Sequence, residues 1–458
     1  MGAGRRPMTR RPVRTLLKTV WLKIVCGADR CRVIDQASES FLRENSVTIG
    51  ETMTAPSGHR LPAATRATYV AFIACGFAFA SWASRIPQVR DHLHLSSAEL
   101  GLVLLMIAAG SITALLLAGV IVSRFQSRRT VMAMAGLQGG ALAAVAIGYP
   151  VGVAPVVASL FVFGFSAAAW DVAMNVQGAA VERQLGRAIM PRFHAGYSVG
   201  TIAGALVGAA MVALNVPVTA HLLVVAVGVA VIVPAAVRSF LPDIDHQNLE
   251  PDAADRGAKP MRRAGGALRR WREPRTLLIG IVVLAFAFAE GAGIDWISLS
   301  LIDSYQQTAV IGTMGLAAFL ASMTLGRWFA NPVLARYGRV TVIRGQTVLA
   351  IAGVLLFVLS PATPLALVGV LLWGLGASLG FPVGMSAAAD SPTAAAGRVS
   401  VVAAIGYCAF LGGPPLIGYL GQHITVLRAL LAIAVVLGLA TLATGSLRPL
   451  PDEERRDM

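Results

Sequence analysis

Charge is what this chain has least of. Asp, Glu, Lys and Arg make up 13% of its 458 residues, against roughly 25% in a soluble globular protein. A chain this poor in charge and 56% hydrophobic reads as an integral membrane protein. Cysteine is scarce too: Cys26 and Cys31 lie near the start, Cys75 and Cys408 in apolar stretches. Their spacing fits neither a disulfide framework nor a zinc site. A Gly-rich phosphate loop, a His-Glu-x2-His pair and a nucleophile elbow are all missing. Those absences argue against an enzyme, and no metal, cofactor or catalytic residue is expected. What the chain has in excess is positive charge, a formal +15. It falls in short clusters between apolar segments, the arrangement that sets membrane topology rather than one that binds nucleic acid.

Residues 1–62 form a basic extension. Arg5, Arg10, Arg14, Lys18 and Lys23 interrupt it too often for a span, and no export-signal core follows Thr9-Arg10-Arg11. It is either a surface-lying amphipathic segment or the result of a start codon placed ahead of the true one, near Met53. From residue 65 onward, apolar segments near 20 residues recur, each long enough to cross about 30 Å of hydrocarbon. Twelve are expected: 67–86, 98–122, 130–149, 153–178, 192–214, 218–238, 276–299, 308–330, 342–360, 364–388, 397–420 and 424–446. Arginines gather after the second span (Arg124, Arg128, Arg129), the fourth (Arg183, Arg187, Arg192) and the eighth (Arg336, Arg339, Arg344). Loops near 150, 215, 303 and 361 carry none, so both termini are expected to be cytoplasmic. The domain plan is then a six-helix half over 63–239, a cytoplasmic linker over 240–275, a second half over 276–447 and a tail over 448–458. The linker's basic second part, Lys259 to Arg275, suits contact with anionic lipid.

The halves repeat one another. Gly196-Tyr197 with Leu206-Val207-Gly208 returns as Gly406-Tyr407 with Leu416-Ile417-Gly418, 210 positions on. Arg124 and Arg336 are separated by 212 positions, Trp82 and Trp296 by 214. Duplicated apolar halves are the build of alternating-access transporters. Gly200, Gly204 and Gly208 stand at four-residue spacing, which lets helices approach closely in lipid.

Six plus six spans around a cytoplasmic linker resemble the major facilitator superfamily. Its marker loop follows the second span as Gly-x3-Asp-Arg-x-Gly-Arg-Arg. Here Gly119, Arg124 and Arg128 match, while Ser123 replaces the acid, Gln126 the second glycine and Ser127 the arginine after it, with Arg129 one place beyond. The copy after the eighth span, Arg336-Tyr337-Gly338-Arg339, keeps the glycine and also lacks the acid. In the family this loop latches helices on the cytoplasmic side, so Gly119, Arg124, Arg128, Arg336, Gly338 and Arg339 are the implied gating residues. Trp82-x2-Arg85-Ile-Pro87, Asp171-x3-Asn175, Met190-Pro-x-Phe-His194 and Glu290-x4-Asp295-Trp296 are similar to a bacterial branch of YbjJ- and MosC-like permeases, and more distantly to fucose–proton symporters. The resemblance covers about residues 65–447.

Ionisable groups inside a span cost about 2.5–3.5 kcal/mol each on insertion scales, so each needs a reason. Asp171 lies well inside the fourth span, with Asn175 one turn on along the same face. In the fucose-symporter relatives an acid in that span is implicated in proton coupling, whereas no acid stands in the first span here. Asp171 is either such a carrier or a structural acceptor held by Asn175, His194 or a helix-terminal amide. Glu290 is a second candidate proton carrier or hydroxyl acceptor, and Asp295 either joins it or marks the water interface. His194 is a relay or a helix-end donor. Tyr197, Tyr407 and Trp82, at matched points of the repeat, line a pathway or serve packing. Gly413-Pro414-Pro415 is expected to break or bend the eleventh span.

With no ATP-binding motif, transport must draw on a gradient. The expectation is a multi-pass permease of the inner membrane, acting as a monomer, that carries a small polar solute of the sugar or polyol class in symport with protons. The alternatives are a proton-driven drug or metabolite exporter, which would carry a Gly-Pro kink in the fifth span, or a non-transporting sensor on the same fold.

Overall fold

The structure is a computed structural model that describes residues 60–186, 189–243, 270–390 and 395–450. Most of the basic extension, most of the linker and the last eight residues lie outside them. So do Cys26, Cys31, Arg187 and Lys259. The described residues belong to one unit, Gly58–Met458, and every regular element among them is a helix.

The first half contains α1 (Arg60–Ala83), α2 (Ile86–His92), α3 (Ser97–Gly148), α4 (Val153–Leu185), α5 (Met190–Ala213) and α6 (Val218–Ala236). The second contains α7 (Pro274–Asp303), α8 (Ala309–Trp328), α9 (Ala330–Tyr337), α10 (Arg339–Leu359), α11 (Thr363–Ala377), α12 (Gly380–Ala388), α13 (Ala395–Ile424), α14 (Val426–Ala429) and α15 (Leu431–Thr441). Among the described residues, ten helices are long and apolar enough to cross a membrane. Side chains such as Leu116, Val120, Val224 and Val231 are exposed on their outer faces. That is the polarity of a surface solvated by lipid.

Local sequence explains the helix ends. Ser96 and Glu99 make a reciprocal capping box at the start of α3. Gly186 ends α4 in the left-handed conformation. Proline opens α2, α5, α7 and α11 within their first two residues, where no amide partner is lost.

Where a loop was expected after the second span, α3 runs on for 52 residues. It is two helices of span length joined end to end across a kink, not one continuous rod. Its backbone breaks at one residue, Gln126, with φ 66° and ψ 155°. The matched position in the second half, 212 residues on, is Gly338 with φ 74° and ψ 160°. The repeat has thus kept a backbone conformation after losing the glycine that adopts it freely.

The expected tenth span is two helices, α11 and α12, interrupted at Ser378–Leu379. Pro382 supplies the cause: it has no N–H to offer the Ser378 carbonyl four residues back. The eleventh span does the opposite of what its prolines suggest. α13 continues as helix through Pro414 and Pro415, so the chain breaks at 378 and not at 414.

Small residues set the packing. A Cβ added at Gly200 would lie 2.1 Å from the Ile73 carbonyl oxygen, and one at Gly204 2.5 Å from that of Phe77. The glycine ladder of α5 is therefore the seat of α1. Trp82 and its repeat partner Trp296 are both buried in the core.

Candidate functional site

Five of the residues singled out from the sequence meet at one cavity. Asp171 of α4, Tyr197 of α5, Glu290 and Asp295 of α7, and Tyr407 of α13 line a space of about 350 Å³. Both halves contribute walls. This volume sits at the lower end of the roughly 300–1,000 Å³ typical of small-molecule sites. Aromatic faces come from Phe79, Phe381 and Phe410 as well as the two tyrosines.

Asp171 and Asn175 pair as their spacing implies. The Asn175 amide nitrogen donates to the Asp171 backbone carbonyl at 2.8 Å and to its Oδ1 at 3.2 Å. His194 is exposed, packs edge-on against Phe72, and makes no bond to Asp171. Asp295 has no hydrogen-bond or ion-pair partner among the described residues. Neither Trp82 nor His194 lines the cavity.

The residue that sequence reasoning passed over is Arg327. It lies near the end of α8, inside a span, and the same cost argument that singled out the acids applies to it. Its Nη2 reaches both Glu290 oxygens, at 3.0 and 2.9 Å. Its Nε donates to the Ser378 carbonyl at 3.2 Å, the acceptor that Pro382 leaves vacant. Gln346, with its amide nitrogen turned toward the break, donates to the carbonyls of Leu375 at 2.7 Å and Gly376 at 2.6 Å. The interruption in the tenth span is thus satisfied by two side chains, one of which also holds Glu290. Around the cavity, three carboxyls face one guanidinium.

The residues implied as gating by the marker loop divide by half. In the second, the acid missing from the marker loop comes from elsewhere: Asp390 accepts from Arg339 Nη1 at 2.6 Å and from Arg275 Nη2 at 2.9 Å. Gly338, with φ 74°, links α9 to α10 ahead of Arg339, and Arg336 stacks over the Tyr337 ring at 5.4 Å. In the first half, Gly119 is in mid-helix with open space around it. Arg124 and Arg128 are exposed and lack a polar partner among the described residues. The acid acting there is Asp243, which accepts from the amide and hydroxyl of Ser127, just past the Gln126 break.

The two halves also touch at the end of the bundle where α2 and the last residue of α7 meet. Arg90 pairs with Asp303 there. Close by, a Cβ at Gly101 of α3 would lie 2.5 Å from the Pro414 carbonyl oxygen, and one at Gly418 2.4 Å from that of Ser97. Backbone contact this close leaves no passage between α3 and α13 at that end.

Comparison with known proteins agrees with this architecture. Residues 68–409 match the Major Facilitator Superfamily model, and the chain belongs to that family of membrane transporters. It is 31% identical over 372 residues to an uncharacterized transporter, y4wD, of Sinorhizobium fredii, covering 80% of this chain and 93% of that one. It is also 31% identical over 371 residues to the membrane protein MosC of Rhizobium meliloti, covering 80% and 85%. Among solved structures, the nucleoside transporter NupG superposes with a TM-score of 0.67 at 14% identity, covering 84% and 98%. The E. coli fucose:proton symporter FucP gives 0.56 at 14%, covering 84% and 98%. At such identities the structural likeness speaks for the fold. The family and the curated relatives are transporters, not enzymes.

Proposed function

We propose that this protein is a proton-coupled secondary transporter that carries a small polar solute, of the sugar or polyol class, by alternating access of two six-helix halves. The observation that carries this reading is the meeting of Asp171, Glu290 and Asp295 with a single arginine at a cavity walled by both halves. A carboxyl at that depth has a functional reason when it takes up a proton or accepts from a solute hydroxyl in turn. Aromatic walls suit the C–H faces of a ring-shaped polar solute. Asp171 and Glu290 are the proton carriers in this account, and Asp295 a solute acceptor.

Counting α3 as two crossings and α14–α15 as the last makes twelve. An even number leaves both termini on one side, and the arginines at 124–129 and 336–344 make that side cytoplasmic. We infer a monomer in the bacterial inner membrane.

The test is solute-driven proton uptake by proteoliposomes across a panel of sugars, polyols and, given the specificity of NupG, nucleosides. One panel member should acidify the lumen with the wild-type chain. Asp171→Asn should abolish accumulation of that solute against its gradient while preserving exchange. Normal accumulation by the variant would end the carrier role of Asp171.

A further inference from the structure

A second, smaller space of about 140 Å³ adjoins the first. The two share Phe79, Tyr197, Glu290, Ile294, Arg327 and Phe410, so the Glu290–Arg327 pair is part of the partition between them. What is new on the small side is Ser198 and Thr201 of α5 and Thr324 of α8, together with Leu320 and Met323. The solute-sized space has Asp171, Asp295, Cys75 and Tyr407 among its titratable neighbours. The small one has only Glu290, Arg327 and Tyr197.

Its position is informative. Ser198 lies two turns into α5, and Thr324 one turn before the end of α8. His194, Ser198 and Thr201 follow spacings of four and three, one stripe of a helix. His194 is exposed, so the stripe leads from the start of α5 toward Glu290. Thr201 Oγ1 donates to the Ser198 carbonyl at 2.8 Å, and Thr324 Oγ1 to the Leu320 carbonyl at 2.7 Å. Each hydroxyl oxygen therefore retains acceptor capacity for a further donor. A space of this size holds several waters, each needing two to four polar partners, and is too narrow for a solute that fills its neighbour. One arginine nitrogen bridges both oxygens of Glu290, which leaves lone pairs on the carboxylate for such a water.

We propose that the hydroxyl-lined chamber between α5 and α8 is a water-filled proton feed to Glu290, separate from the solute cavity. Proton and solute then reach opposite sides of the Glu290–Arg327 pair. The inference rests on the reading of Glu290 as a proton carrier and adds the route by which it is served.

The test needs no solute. The full chain in lipid nanodiscs is followed by infrared difference spectroscopy after a pH step, the Glu290 signal being identified by its loss in Glu290→Gln. Thr324→Val with Ser198→Ala should slow the Glu290 response about tenfold, the effect of removing hydrogen-bond partners from a water file. Thr324→Ser, which keeps the hydroxyl, should respond as wild type. Thr313→Val, the same change in α8 away from both spaces, serves as the folding control. An unchanged rate in the double variant overturns the feed and leaves the carrier reading standing. Equal slowing by Thr313→Val also overturns it. Absence of any Glu290 signal in the wild type overturns both.

Discussion

Gln126 shows how a single residue can carry a cost inherited from the repeat. It occupies a region of backbone space that is close to glycine-only, with φ 66° and ψ 155°, while its partner at 338 remains glycine. Non-glycine residues there cost about 1–3 kcal/mol. Gln126→Gly should relieve that strain at the expense of extra freedom in the unfolded chain, for a net gain of about 1 kcal/mol. Thermal unfolding in detergent measures it, and a lower midpoint would show that the site is unstrained. The substitution of glycine by glutamine was visible in the sequence. What it meant was not, because a sequence records which residue is present and not the φ it must adopt. Asp171 and Asn175 are the opposite case: four-residue spacing on one helix decides their meeting, and the hydrogen bond follows. Arg327 was equally legible by its depth in a span, yet its two partners come from α7 and the broken tenth span.

At the scale of elements, the second half is clasped by charge at the ends of its helices. Asp390 holds Arg275 and Arg339, and Glu273, just ahead of α7, accepts from Arg398 Nε at 2.7 Å and Thr276 Oγ1 at 2.9 Å. Burial raises the pKa of Glu273, but the bonds from Arg398 and Thr276 outweigh it and hold the carboxyl below its ordinary 4.5. A carboxyl lowered on folding stabilises above its unfolded pKa, and that contribution is lost as pH falls through the folded value. Wild type should therefore lose stability on acidification below about pH 4.5 more steeply than Glu273→Gln does. Parallel acid titrations of the two, read by tryptophan fluorescence, check this, and coincident curves would remove Glu273 from the clasp. The expected acid of the marker loop is absent at its usual place in both halves. Asp390 and Asp243 instead bond to Arg339 and Ser127 of those loops from positions 51 and 116 residues away, contacts that no local motif can announce.

For the whole molecule, the decisive feature is that one end of the cavity is closed by contacts between halves. The Arg90–Asp303 pair and the tight approach of α3 to α13 must part if solute is to enter from that side. In a background without other cysteines, Arg90→Cys with Asp303→Cys, joined by a short thiol-specific linker, should abolish transport, and reduction should restore it. Transport that continues after cross-linking would mean that this end does not open in the cycle.

The sequence by itself determined the class of the molecule. Low charge, recurrent apolar segments of span length and an internal repeat leave few alternatives to a duplicated helical bundle in lipid, because backbone polar groups there must be satisfied within each helix. It also determined the pairs that lie one helical turn apart. Only the tertiary structure decided which intramembrane charges share a cavity, where the tenth span breaks and which end is sealed. Those outcomes depend on groups brought together from different helices, and helix periodicity carries no information about neighbours across a bundle. The low charge that marks this chain as a membrane protein therefore has a second meaning: four of the charges it keeps inside, Asp171, Glu290, Asp295 and Arg327, are gathered by folding around one solute-sized space.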